Sequence, residues 1–220
     1  MTGRLRGIVF DMDGVLIDSH PAHRLAWKSF LESLGREISD DELDFILDGR
    51  KREEILKHFL GELAPEQIAE YGKQKDKLLD RHRDAMQPIP GVIEFLDHLW
   101  ESSVPTALAT SASRRRACGT LDELGLARYF PTIVTGDDVT AGKPDPAIYQ
   151  LAAKRMQESP ECLLAVEDAA SGVKSARAAG LRCLGIATAQ RSALLRAAGA
   201  DPVIPNFRSF SFSQLEAYFC

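Results

Sequence analysis

Two aspartates, Asp11 and Asp13, stand on either side of one residue at the end of an apolar run, residues 5–10. Similar junctions recur further on. Ser111 and Ser113 follow the run 106–110, Glu167 and Asp168 follow the run 163–166, and Lys143 lies in Gly142-Lys143-Pro144-Asp145-Pro146. If these runs are strands of one parallel sheet, their following residues share a rim, because ligands bind at the carboxyl ends of such strands. Four acids would then meet two hydroxyls and a lysine. Crowded carboxylates repel one another unless a cation sits among them. Their donors are all oxygens, which selects a hard ion, Mg²⁺, over zinc. The lysine and hydroxyls are left to hold an anion. Carboxylates, Mg²⁺ and an anion clamp together make a phosphoryl-transfer site.

The elements that must position these groups follow from periodicity. Short apolar runs at 5–10, 106–110, 132–135, 163–166, 183–187 and 203–204 alternate with helical patterns at 114–124, 169–179 and 192–198, each closed by a glycine (Gly125, Gly180, Gly199). Continuous apolar strands alternating with helices indicate an α/β fold, a Rossmann-like parallel sheet with helices on both faces. From Pro21 to about Met86 the alternation stops and only helical patterns remain. Pro21 suits a first helical position, and Ala26, Phe30, Leu31 and Leu34 form a stripe closed by Gly35. Ser39 and Glu42 make a capping box, Ile55 to Leu60 carry a third helix, and Pro65 opens a fourth. The expected organisation is a small all-helical cap domain, 19–86, inserted after the first strand of a core domain formed by 1–18 and 87–220.

Composition narrows the partners. The 220 residues carry 27 basic and 32 acidic side chains, net −5, which argues against a duplex nucleic-acid binder. No run of about 18 apolar residues suggests a membrane span, and the apolar run near Met1 stops at Asp11, too short for a signal peptide. Cys118, Cys162, Cys183 and Cys220 show no CxxC spacing, and Cys162 and Cys183 read as small core residues. These features fit a reducing cytoplasm; the expected protein is cytoplasmic, a monomer or weak dimer, with a small phosphorylated metabolite as partner.

In order along the chain, Asp11-Met12-Asp13-Gly14-Val15, Ser111, Lys143 with its Pro-Asp-Pro, and Glu167-Asp168 resemble the four motifs of the haloacid dehalogenase-like superfamily. The helical insert resembles the cap of its phosphatase and β-phosphoglucomutase-like branch. The resemblance covers essentially the whole chain. It implies that Asp11 attacks phosphorus to form an aspartyl-phosphate, while Asp13 protonates the leaving alcohol and later takes a proton from the acceptor. It further implies Mg²⁺ on the Asp11 carboxylate, the Asp13 backbone carbonyl and Asp168, with Glu167 direct or through water. Ser111 and Lys143 would hold the phosphoryl group. An acid at position 13 implies a phosphate ester or anhydride, since dehalogenases and phosphonate hydrolases lack it. Such an acid needs a pKa raised toward neutrality.

Several residues carry two readings. Asp11 and Asp13 could form a simple strand-end turn, and Ser113 either touches substrate or caps the helix at Arg114. Arg114-Arg115-Arg116 reads as a solvated helical face, from which Arg114 could reach a substrate. In the cap, the resemblance places Arg52 and Lys75 on the distal part of the substrate, against a plain charged surface. His23 is either a hinge-side proton relay or a helix-start histidine. Arg50 and Lys51 depart from the mutase loop, which has smaller residues there. A phosphatase is therefore the first expectation, a β-glucose 1-phosphate mutase the alternative, and a catalytically silent binding module the third.

Overall fold

A computed structural model describes residues 5–210 and 212–217; Cys220 lies outside the described residues. The elements, in chain order, are β1 (Gly7–Phe10), β2 (Ile17–Asp18), α1 (His20–Ser33), α2 (Asp40–Ile46), α3 (Arg52–Leu60), α4 (Pro65–Asp80), β3 (Gln87–Pro88) and α5 (Val92–Glu101). They continue with β4 (Thr106–Thr110), α6 (Arg114–Glu123), β5 (Thr132–Thr135), α7 (Ala147–Met156), β6 (Leu163–Glu167), α8 (Ala170–Ala178), β7 (Arg182–Ile186), α9 (Ala189–Ala198), β8 (Val203–Ile204) and α10 (Phe212–Ala217).

The main sheet has six strands in the order β5-β4-β1-β6-β7-β8, and every neighbouring pair is parallel. Strand β1 lies between β4 and β6, so the residues that follow these three strands come out side by side. Alternation along each strand divides the core. Ile8 and Phe10 of β1 join Leu164 and Val166 of β6 in a cluster closed by α5 and α6. Val9, Leu163 and Ala165 face the other way, into a cluster closed by α7, α8 and α9. Both faces of the sheet are therefore covered, as the unbroken apolar runs require.

The chain between β2 and β3 is helical. Its first helix lays Trp27, Phe30 and Leu31 against Leu43, Ile46, Ile55, Leu56 and Phe59 of the next two, an apolar cluster separate from those of the sheet. Ser39 and Glu42 form the expected reciprocal cap of α2. The two connections to the sheet pair with each other as the antiparallel ribbon β2–β3, two residues a side and too short to show a period in sequence. Helices α5 and α7 were not singled out by the sequence patterns, and α9 begins at Ala189 behind Thr188 rather than at Ser192. Cys183 is buried as expected, but Cys162 is only partly so, because it ends a 3-10 turn before β6. Among the described residues no helix is long and apolar enough to cross a membrane.

Phe10 is the residue on which the first face closes. Its ring is buried and meets Phe95 and Phe130 edge-on at centroid distances of 6.4 and 5.8 Å. Phe10→Ala should destabilise the protein by about 3–5 kcal/mol, the scale for removing a buried aromatic. Urea unfolding that shows a loss below about 1 kcal/mol would contradict this placement.

Candidate active site

The end of β1 turns sharply after Asp11. Gly14 has φ +74°, a left-handed conformation that suits glycine, and a Cβ there would meet Asp168 Oδ2 at 2.2 Å. The turn can therefore bring its backbone against the end of β6 only because position 14 has no side chain.

Beneath the rim, Lys143 is 1% exposed. Its Nζ donates to Asp11 Oδ1 at 2.8 Å, Glu167 Oε1 at 2.6 Å and the Ala109 carbonyl at 3.3 Å. The three donors of an ammonium are thus all used. Tyr149 OH also donates to Glu167 Oε1, at 2.6 Å, and Glu167 Oε2 accepts from the Asp168 and Ala169 N–H groups. Glu167, rather than Asp168, therefore serves the backbone at the start of α8. Burial pushes the Asp11 carboxyl up to about 8; Lys143 opposes the shift, while Glu167, Asp168 and Asp13 reinforce it. One ammonium does not balance this many acids.

The residues present fit a hard cation. Asp11, Glu167 and Asp168 can each offer an oxygen within 4.8 Å of the others. Asp168 Oδ2 is buried and accepts no hydrogen bond, although His20 Nε2 lies 3.1 Å away. An orphaned carboxylate oxygen among all-oxygen donors suits Mg²⁺.

Asp13 corrects the expectation made for it. Its carboxyl lies well below the usual carboxylate range rather than above it. Burial does favour the neutral form, but the Arg116 guanidinium and then His23 outweigh it. Arg116 Nη1 donates to Asp13 Oδ1 at 3.1 Å, Nη2 donates to Oδ2, and Ser19 Oγ donates to Oδ1 at 2.6 Å. Arg116 is therefore no part of a solvated face: its side chain is 10% exposed. Arg114 does lie outside, paired with Asp138 at 2.8 Å.

Asp11, Asp13, Asp168, Ser111, Ser113, His23, Arg52 and Lys75 line one cavity of about 290 Å³, whereas Lys143 and Glu167 stand behind its wall. Ser113 caps α6 by accepting from the Arg116 N–H at 3.4 Å, so the capping reading holds while the residue also faces the cavity. Ser111 Oγ donates to the Gly49 carbonyl at 2.7 Å. The loop around Gly49 is held further by Ser171, whose Oγ donates to the Asp48 carbonyl, and by Lys51 Nζ on the Val139 carbonyl at 2.7 Å. Lys51 thus points at backbone across the cleft, and Arg50 packs over Phe45 at 4.4 Å.

On the helical side, Arg52 is tied to Asp76 at 2.7 Å and folds over Gly72. Lys75 Nζ is 3.1 Å from His23 Nδ1, and His23 Nε2 is 3.6 Å from Asp13 Oδ1. Burial and then the Lys75 charge push His23 down to about 3. Ser19, His20, Arg116 and Tyr149 are site residues that sequence reasoning passed over. Only Arg116 had a usable signal, its i,i+3 spacing from Ser113 on one helix face.

Residues 8–186 match the family model described as haloacid dehalogenase-like hydrolase. The chain is 33% identical over 178 residues to the phosphorylated carbohydrates phosphatase of Thermotoga maritima, covering 80% of this chain and 82% of that one. It is 29% identical over 195 residues to the β-phosphoglucomutase of Bacillus subtilis, covering 84% and 85%. The crystal structure of β-phosphoglucomutase from Clostridium difficile shares the fold, with a TM-score of 0.86 over 98% of this chain and 97% of that one at 20% identity.

Lys75 gives the site a pH signature. Burial, with Arg116 and Arg52 adding repulsion, pushes it from 10.5 down to about 7. Below about pH 7 both folded and unfolded states carry its proton and the full cost of burying the charge is present. Between there and 10.5 the unfolded chain binds more protons, so stability rises with pH. Relative to Lys75→Met, the wild-type protein should therefore gain stability from pH 7 to pH 10, by at most about 1.4 kcal/mol per unit. A difference that stays flat in denaturation across that range would contradict a buried, charge-crowded lysine.

Proposed function

The chain belongs to the haloacid dehalogenase-like hydrolases, and on that footing we propose that it is a Mg²⁺-dependent phosphatase. Its substrate in this reading is a small phosphorylated metabolite, a sugar or polyol phosphate, hydrolysed through an aspartyl-phosphate on Asp11. The observation that carries the reading is the Asp11 carboxylate in the lining of the cavity, oriented through Oδ1 by a buried lysine.

Asp11 attacks phosphorus, and the bond from phosphorus to the leaving oxygen breaks. Asp13, released by Arg116 and then protonated, supplies the proton which that oxygen takes up. Water then attacks the same phosphorus, the Asp11–phosphorus bond breaks, and the proton of water returns to Asp13. Ser111 Oγ, which lines the cavity, donates to the transferring group once it has left the Gly49 carbonyl. Lys143 holds Asp11 in line and balances its charge. Mg²⁺ bound by the Asp11 and Asp168 carboxylates and the Asp13 carbonyl, with Glu167 through water because its own oxygens are engaged, would neutralise the acids and the phosphoryl oxygens. Residues 19–86 act as a lid carried on β2 and β3, and the Asp48–Val139 side of the cleft is where it seats.

A mutase is the second reading. The contacts from Lys75 through His23 to Asp13, and the Bacillus subtilis relative, favour it. Arg50 and Lys51, long side chains in the seated loop, weigh toward hydrolysis.

The test is a panel of phosphorylated sugars and polyols with Mg²⁺, scored for free phosphate and for isomerised product. Phosphate should match released alcohol one for one and stop in EDTA. Asp11→Asn should lose at least about 10³-fold, the scale for removing a covalent nucleophile. Isomerisation about tenfold or more above phosphate release would assign the mutase instead, and full turnover in chelator would remove the metal site.

A further inference from the structure

Arg116 is engaged with the proton carrier, yet hydrolysis of a neutral sugar phosphate gives it no task. Its guanidinium straddles Asp13, one nitrogen on each carboxylate oxygen, and Ser19 Oγ takes Oδ1 as well. Both oxygens of Asp13 are therefore held by protein donors. A leaving oxygen has to reach one of them for proton transfer. The pair must open, and a guanidinium left buried without a counter-charge is costly.

Of the other acids that act on Arg116 among the described residues, Asp11 is held by Lys143. The nearby acid of the helical side, Asp76, already accepts from Arg52 at 2.7 Å on Oδ1 and faces Arg115 at 3.4 Å on Oδ2. Arg52 and Lys75 line the same cavity as Arg116, and each cation makes the others worse placed. Burial, then Arg116, then Arg52 push Lys75 down to about 7, with Asp76 and Asp13 opposing. The counter-charge has to come from the substrate.

Resting on the phosphatase reading, we propose that Arg116 is a specificity-determining residue that exchanges the Asp13 carboxylate for a carboxylate on the substrate's leaving group. The preferred substrate is then a phosphorylated hydroxy acid or sugar acid, with its carboxylate close to the scissile ester. The exchange is like for like. The planar fork that now holds one carboxylate bidentately fits another, and closeness to the ester follows because Arg116 already touches the group that must meet the leaving oxygen. Selectivity arises from what a neutral substrate leaves behind, an unpaired buried cation, as much as from the contact an acid makes.

The experiment compares 2-phosphoglycerate with glycerol 2-phosphate, which differ by a carboxylate in place of a hydroxymethyl group. Calorimetry with Mg²⁺ on Asp11→Asn protein measures binding without turnover, with Arg116 intact and as Arg116→Met and Arg116→Lys. With Arg116 intact, 2-phosphoglycerate should bind at least about tenfold more tightly, the scale of a charge-assisted bidentate contact. Arg116→Met should bring the ratio to within about threefold while glycerol 2-phosphate binding is kept, which also shows that the variant is folded. Arg116→Lys should restore part of the ratio, since it keeps the charge and loses the fork. A ratio near one with Arg116 intact, a ratio that survives in Arg116→Met, or no binding of either probe overturns the proposal. Phosphate release by protein with Asp11 intact separates the two readings. A preserved ratio without release removes the phosphatase and leaves the carboxylate subsite, whereas release without the ratio does the reverse.

Discussion

The ammonium of Lys143, buried between the carboxylates of Asp11 and Glu167 at 2.8 and 2.6 Å, is the contact on which the remaining geometry depends. Removing these charges from water costs several kcal/mol per ion, which attraction offsets only when the geometry is good and every remaining lone pair and proton is satisfied. The fold meets that demand from several directions. The end of β1 brings Asp11, the end of β6 brings Glu167, and the segment before α7 brings Lys143 inward. Tyr149 from α7 and the Asp168 and Ala169 N–H groups just before α8 complete Glu167. Two parallel strands must lie side by side and two helices must start at the right height for this to happen. The register of β1 on β6, Phe10 against Val166, places the two strand ends level.

A second, looser layer of charge lies above the first. Arg116 on Asp13, His20 near Asp168, and Lys75 on His23 surround the cavity with pairs that a ligand has to rearrange. The lower layer is built to stay and the upper one to exchange. Lys143 and Glu167 lie behind the cavity wall, whereas Asp13, Arg116 and Lys75 line it. The loop held by Ser111, Ser171 and Lys51 closes the upper layer from the helical side. Its contacts fall on backbone carbonyls and engage Ser111 and Lys51, side chains that also line the cavity.

Much of this was legible in the amino-acid order because the physics was local. Unbroken apolar runs gave the strands, a polar residue at each run's end marked the rim, and Ser39 with Glu42 marked a helix start. What escaped was set by tertiary contact. The ribbon β2–β3 has two residues a side, too few for a periodic signal. Three consecutive arginines look like solvent in a linear reading, and only the approach of α6 to the turn after β1 turns Arg116 inward. That contact also reversed the expected pKa of Asp13, because the Arg116 guanidinium, with His23, outweighs burial. Tyr149 was hidden for the opposite reason, as an aromatic at a helical core spacing that differs from a packing residue only by its hydroxyl.

The claim at the centre of this account is that Asp11, oriented by Lys143, is the atom donor to phosphorus. Beryllium fluoride mimics a phosphoryl group on an aspartate and can be followed by ¹⁹F NMR without any knowledge of the substrate. Protein with Mg²⁺ and beryllium fluoride should show bound fluoride resonances that disappear in Asp11→Asn and on adding EDTA. Bound resonances that persist in Asp11→Asn, or their absence from the wild-type protein with Mg²⁺ present, would contradict the assignment.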